Sequence, residues 1–113
     1  MKIPKRFKLM GKTITVEIVP DLLDNEDATG AAEYRKQRIR LQKIDGEYVQ
    51  RTVEDQEHWF LHELTHHIFN ALDEIDLRNN EKLVEQFSGL LHQALTTAEY
   101  DEPKGERDVE KPF

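Results

Sequence analysis

The chain has no cysteine. That excludes disulfides, thiol catalysis, iron–sulfur clusters and every zinc site built on sulfur. Any metal centre must therefore be made of histidine and carboxylate. No apolar run approaches 18 residues, so no transmembrane helix is expected. The first twelve residues, MKIPKRFKLMGK, carry five basic side chains and no acid, but they lack the apolar stretch of a signal peptide. Positive charge is in short supply overall. Sixteen Lys and Arg face 23 Asp and Glu, a net charge of −7. A general nucleic-acid binder is disfavoured, because contacts to a phosphate backbone need positive charge. The expectation is a soluble cytoplasmic protein with no membrane contact.

With 113 residues, the chain is the size of one domain. It can bury roughly two thirds of its unfolded surface, enough for a single modest core. Hydrophobic residues are 37% and charged residues 35%. The apolar ones recur in periodic runs, which argues against disorder.

In Leu9–Ile18, Ile14, Val16 and Ile18 alternate with Thr13, Thr15 and Glu17, the pattern of a half-buried strand. Pro20 and Asp21 end it, and residues 21–30 read as a connecting loop or short turn. Residues 31–43 suit a helix by composition, but Ile39 and Leu41 alternate with Arg38, Arg40 and Gln42. Strands are preferred, Ala32–Lys36 and Gln37–Gln42, with a tight turn or bulge between them. Asp45-Gly46 signals a turn. Thr52 can cap a helix, with Asp55 three residues on. No glycine or proline follows until after Asp73, and Phe60, Leu61, Leu64, Ile68 and Leu72 recur at helical spacing. IDLRNN reads as a loop, with Asn79 or Asn80 as the next cap. Glu81–Thr97 is a second long helix, with Val84, Phe87, Leu91 and Leu95 on one face. Residues 1–98 form one domain. Residues 99–113, with six acids, three bases and two prolines, read as a solvated acidic tail.

The long first helix carries His62-Glu63-Leu64-Thr65-His66, an HExxH motif. Side chains four apart stack on one helical face, so two imidazoles can hold one metal ion from one rigid element. Glu63, beside them, can reach a water at the metal rather than the metal itself, as metal-assisted hydrolysis requires. The competing reading is a histidine-rich helix surface, since His58 and His67 lie on the same helix.

A zinc site needs a third protein ligand. Glu81 and Glu85 stand one turn apart at the start of the second helix, and a helix–loop–helix pair can fold them back. Glu81 is the preferred ligand, with Glu85 accepting the other ring proton of His62 or His66; Glu85 as the ligand is the alternative. An acidic first turn that only complements the helix dipole is the bland reading. In the enzymatic reading Glu63 is the catalytic general base. His58, His67, His92 and Tyr100 are candidates for an oxyanion helper. An edge strand beside the helix can hold an extended peptide, and Arg35, Lys36, Arg38 and Arg40 can bias it towards acidic segments; a solvated basic strand is the alternative.

HELTHHIF followed by NEKLVEQFSGLL resembles the minimal gluzincin metallopeptidases, the core shared with thermolysin and with ImmA/IrrE-like phage and bacterial proteins. GKTITVEI and ATGAAEYRKQRIRLQ are similar to small phage-encoded members, so the resemblance spans about residues 10–97. It implies an α+β fold: a small, mainly antiparallel three-stranded sheet packed on the HExxH helix, then a glutamate helix. It implies zinc held by His62, His66 and Glu81, Glu85 supporting a ligand histidine, and Glu63 as the base.

The leading reading is thus a zinc metallopeptidase acting on one or a few protein or peptide substrates, among them a regulator if the origin is phage. The alternatives are a catalytically weak or inactive zinc-binding regulatory module, and an interaction protein with an accidental HExxH. The chain is expected to be a monomer or a weak dimer.

Overall fold

The computed structural model describes residues 1–45 and 51–101. The alternating segment forms β2, Lys12–Val19, with Ile14 buried. Before it, Arg6–Leu9 forms β1, whose Phe7 and Leu9 turn towards the core while Arg6 and Lys8 face water. Met10 and Gly11 join the two strands at φ 50° and 80°. Positive φ at both central residues suits a two-residue hairpin, because it matches the twist of the strands.

This extra strand makes the sheet four-stranded rather than three-stranded, in the order β1-β2-β4-β3. β1 is hard to read in sequence because its alternation lasts two residue pairs amid a basic run. Met-Gly is also not the Asn-Gly or Asp-Gly pair that marks a hairpin. β3 is Gly30–Glu33 and β4 is Arg38–Gln42. β4 falls within its expected strand, whereas β3 starts in the expected loop and ends at Glu33, and Tyr34–Gln37, expected to be extended, form the turn between them, with Gln37 at φ 50°. β1 and β2 are antiparallel, as are β3 and β4, whereas β2 and β4 are parallel, with Val16 opposite Ile39. The sheet is therefore mixed.

Two short helices replace expected loops. α1, Leu22–Glu26, buries Leu22, and α3, Ile75–Arg78, is a single turn. α2 is Val53–Ala71, and its capping box is formed: Thr52 Oγ1 accepts from Asp55 N at 3.0 Å, and Asp55 Oδ2 accepts from Thr52 N at 3.1 Å. α4 is Glu81–Thr97, capped by Asn80, whose Oδ1 accepts from Leu83 N at 3.1 Å. Residues 98–101 have no regular structure; Gly46 of the expected turn and residues 102–113 of the tail lie outside the described residues.

The core lies between one face of the sheet and α2. Ile14, Ile39 and Leu41 meet Phe60 and Leu61, and Phe7 meets Phe60 edge-on at 6.0 Å. Removing these side chains from water supplies roughly 1.5–3 kcal/mol each. α4 runs antiparallel along α2 and buries Val84 and Ser88 there. Phe87 and Leu95, expected on the same buried face, remain 46% and 45% exposed. Phe87 sits on the flank of the seam, its ring 6.3 Å from that of Phe69. Among the described residues, no helix is long and apolar enough to cross a membrane.

Candidate metal centre

His62 and His66 stand one turn apart in the middle of α2, their ring centroids 5.0 Å from each other. The antiparallel approach of α4 brings its first turn over them. His62 Nε2 lies 3.1 Å from Glu81 Oε1, and His66 Nε2 lies 3.1 Å from Glu81 Oε2. One carboxylate therefore spans both rings.

The opposite ring nitrogens are also engaged. His62 Nδ1 lies 2.8 Å from Glu85 Oε1, and His66 Nδ1 lies 2.8 Å from the carbonyl oxygen of Arg78. Both of those partners accept hydrogen bonds, so both Nδ1 atoms donate. Each Nε2 of a neutral ring then directs a lone pair at an oxygen of Glu81. Acceptor facing acceptor is repulsive unless a positive species sits between them, either a proton on each ring or one shared cation.

Glu63 stands beside the two histidines, on the β3 side of the same cleft. It is only 9% exposed. Burial pushes its carboxyl up to about 7; the His62 ring pulls it down, and the carboxylates of Glu81 and Glu85 push it up further. Its side chain lies against Gly30, the first residue of β3. A Cβ built on Gly30 would come within 2.8 Å of Glu63 Oε2 and 3.0 Å of its Cγ. Glycine is thus required here by close approach, not by backbone angle. One atom each from His62, Glu63 and His66 falls within a 4.8 Å group able to hold a metal ion.

These residues line an open cleft of about 470 Å³, walled on the far side by Leu23 and the stretch 27–30, and at one end by Trp59. Trp59 carries no motif signal, yet its place three residues before His62 puts it on the same face of α2.

The oxyanion candidates do not line this cleft. His92 Nε2 is bonded to buried Glu57 at 2.8 Å. His58 stacks on the His92 ring and lies 3.6 Å from Glu85 Oε1. His67, 3% exposed, donates through Nε2 to the carbonyl of Arg38 at 3.0 Å; burial holds its ring below the usual imidazole range. Tyr100 is 84% exposed beyond the end of α4. The basic strand residues are also placed otherwise than expected. Arg38 and Arg40 lie on inner strand β4 and pair with Glu33, while Arg40 also holds Glu26 at 2.7 Å and Arg38 lies 3.6 Å from Glu17. Arg38 and Arg40 are thus paired within the fold, while Arg35 and Lys36 stand exposed on the turn between β3 and β4.

One support is invisible in the motif. Arg78, whose carbonyl holds His66, is itself clamped. Its Nη1 donates to Asn70 Oδ1 at 2.8 Å, and its guanidinium lies 4.7 Å from the centre of the Tyr34 ring.

Fold and site together define a small α+β domain with a zincin-like HExxH helix, followed by a helix whose carboxylate pairs with both histidines. Compared with protein-family models, with curated proteins and with solved structures, the chain matches none.

Proposed function

We propose that this protein is a zinc-dependent peptidase, with His62, His66 and Glu81 as metal ligands, Glu63 as general base and Glu85 orienting His62. The observation that carries the reading is the opposition of two imidazole lone pairs to the two oxygens of Glu81, with both Nδ1 protons already committed. Two nitrogens and a carboxylate are a donor set that suits zinc, and a fixed Nδ1 bond on each ring is the support such ligands receive.

Bound there, zinc would acidify a water and polarise a peptide carbonyl. The protein's own part is orientation and proton transfer. Glu85 and the Arg78 carbonyl keep both rings in the Nδ1–H form. Glu63 takes the proton from the attacking water as its oxygen bonds to the peptide carbon, and returns it to the departing amine nitrogen as the C–N bond breaks. Strand β3 is the edge of the sheet, and Gly30 brings the start of it to the cleft. That favours an extended peptide bound by main-chain hydrogen bonds as an added strand. The cleft is bounded by Asp27, Glu81 and Glu85, which favours segments without acidic side chains over acidic ones.

The test is cleavage of a pooled peptide library by zinc-loaded protein, with new amino termini read by mass spectrometry. Wild type should cut a restricted set of sites, and Glu63→Gln should hold zinc equally well and cut none of them. Loaded wild type that cuts nothing, or cutting that survives in Glu63→Gln, would leave a zinc-binding module and overturn the peptidase reading.

A further inference from the structure

His67 takes no part in the metal centre, yet it is almost fully buried and uses only one of its ring nitrogens. Nε2 donates the ring proton to the carbonyl of Arg38, and burial keeps the ring neutral. Nδ1 is therefore a lone-pair acceptor. Among the described residues no donor bonds to it. A buried acceptor left without a donor is costly, and such a group in a folded protein asks for a partner from outside the chain.

The His67 ring lines a second cavity, of about 370 Å³, between the β1–β2 hairpin and the end of α2. It shares no lining residue with the metal cleft. Its volume lies in the range of small-molecule sites. The walls beside His67 are apolar: buried Ile14, half-buried Leu9, and the Tyr34 ring, which stands edge-on to His67 at 5.2 Å. Met10 also lines the cavity, from a hairpin position whose φ of 50° is costly for a residue with a side chain. It is exposed, so its flexible thioether chain is free to fold onto an aromatic ring.

The more open part of the cavity offers donors. Lys12 is exposed and has no carboxylate partner among the described residues. Asn70 Oδ1 accepts from Arg78, which leaves the Nδ2 protons of Asn70 to give. The cavity thus combines a buried acceptor, apolar walls, and donors that include one positive charge. Water suits the buried end poorly, because apolar walls deny it the further polar partners it needs. The complement is a hydroxyl, a flat apolar body and an anionic group.

We propose that this cavity binds a small aromatic hydroxy acid, with its hydroxyl donating to His67 Nδ1, its ring against Met10 and Tyr34, and its carboxylate at Lys12. The site is independent of the zinc reading.

The experiment is a nuclear magnetic resonance titration of the full, isotope-labelled chain with 4-hydroxybenzoate, benzoate and phenol, with and without zinc. The hydroxy acid should bind with a dissociation constant of about 1 mM or tighter. It should move the amide signals of Leu9, Met10 and Ala71, and the Nδ1 signal of His67, equally in both metal states. Benzoate lacks the donor and should bind about tenfold more weakly. Phenol lacks the anion and should bind about threefold more weakly. Lys12→Met, at an exposed position, should lower the affinity for the hydroxy acid to that for phenol. No binding up to about 10 mM would overturn the proposal and leave His67 to solvent water. Benzoate binding as tightly as the hydroxy acid would overturn it too, since Nδ1 would then read nothing. Shifts confined to Gly30 and Trp59, and seen only with zinc, would place the carboxylate at the metal and likewise overturn it.

Discussion

His66 gives the proton on its Nδ1 to the carbonyl oxygen of Arg78, 2.8 Å away. The acceptor is main chain, so its position depends on how the Arg78 side chain is anchored. Asn70 on α2 and the Tyr34 ring at the end of β3 supply that anchor. Loss of an outer partner of a ligand histidine commonly lowers metal affinity by about 10–100-fold. Asn70→Leu and Arg78→Ala are expected to fall in that range for zinc, measured by competition with a chromophoric chelator. Tyr34→Phe keeps the ring and should keep the affinity, whereas Tyr34→Leu should not. Equal affinity in all four variants would mean that the Arg78 carbonyl is held by the chain path alone.

Glu63 gives a stability prediction for the metal-free protein. Its carboxyl is raised in the fold to about 7, mainly by burial, against an ordinary value of 4.5. Between those values the folded state holds more protons than the unfolded state, so stability falls as pH rises from about 4.5 to 7. Above 7 the cost of the buried charge is on the order of 3 kcal/mol. Glu63→Gln removes the charge and keeps the shape. Without metal, the variant should be more stable than wild type at pH 8, and the difference should shrink towards zero at pH 5. Urea denaturation at the two pH values measures it. An equal difference at both would show that Glu63 does not titrate in this window.

The close approach of Gly30 and Glu63 gives a coupled prediction. Gly30→Ala forces a methyl group against Glu63 Oε2 and Cγ. Overpacking of this kind costs about 1–3 kcal/mol. Shortening the acid in Glu63→Asp frees the space. The double variant should therefore be less destabilised than the sum of the two single changes, by at least about 0.5 kcal/mol. Simple additivity in a denaturation series would mean that β3 shifts away and the two side chains do not compete.

The parts of this molecule that sequence makes legible are those with a period or a fixed spacing. Ile14, Ile39 and Leu41 alternate, and Phe60, Leu61 and Leu64 keep helical spacing. Strand β2 and helix α2 follow from them, and α4 follows from its own apolar spacing after the Asn80 cap; the preference for a strand at β4 and the α+β class draw on the family resemblance as well. Thr52 and Asp55 mark the start of α2 because the capping box is local chemistry. What stays hidden depends on contacts between distant segments. Strand β1 has too short an alternation to stand out, and the parallel pairing of β2 with β4 is set by the crossover, not by either strand alone. The sequence-level candidates His58 and His92 are engaged instead with each other and with Glu57 and Glu85, partners that no spacing rule connects. Gly30 reads as a loop residue until the fold lays Glu63 against it. The Arg78 carbonyl has no signature at all, since every residue carries one.

The most direct test of the metal centre is the metal content of wild-type protein, purified without an affinity histidine tag, beside His66→Ala and Glu81→Ala. The opposition of both Nε2 atoms to the two Glu81 oxygens leads us to expect one zinc per chain in the wild type, lost in both variants. Zinc retained in Glu81→Ala and lost in Glu85→Ala would transfer the ligand role to Glu85. A wild type that carries no metal and takes none up from excess zinc would contradict the account. The cation between His62, His66 and Glu81 would then be protons, and the HExxH segment the polar face of a helix.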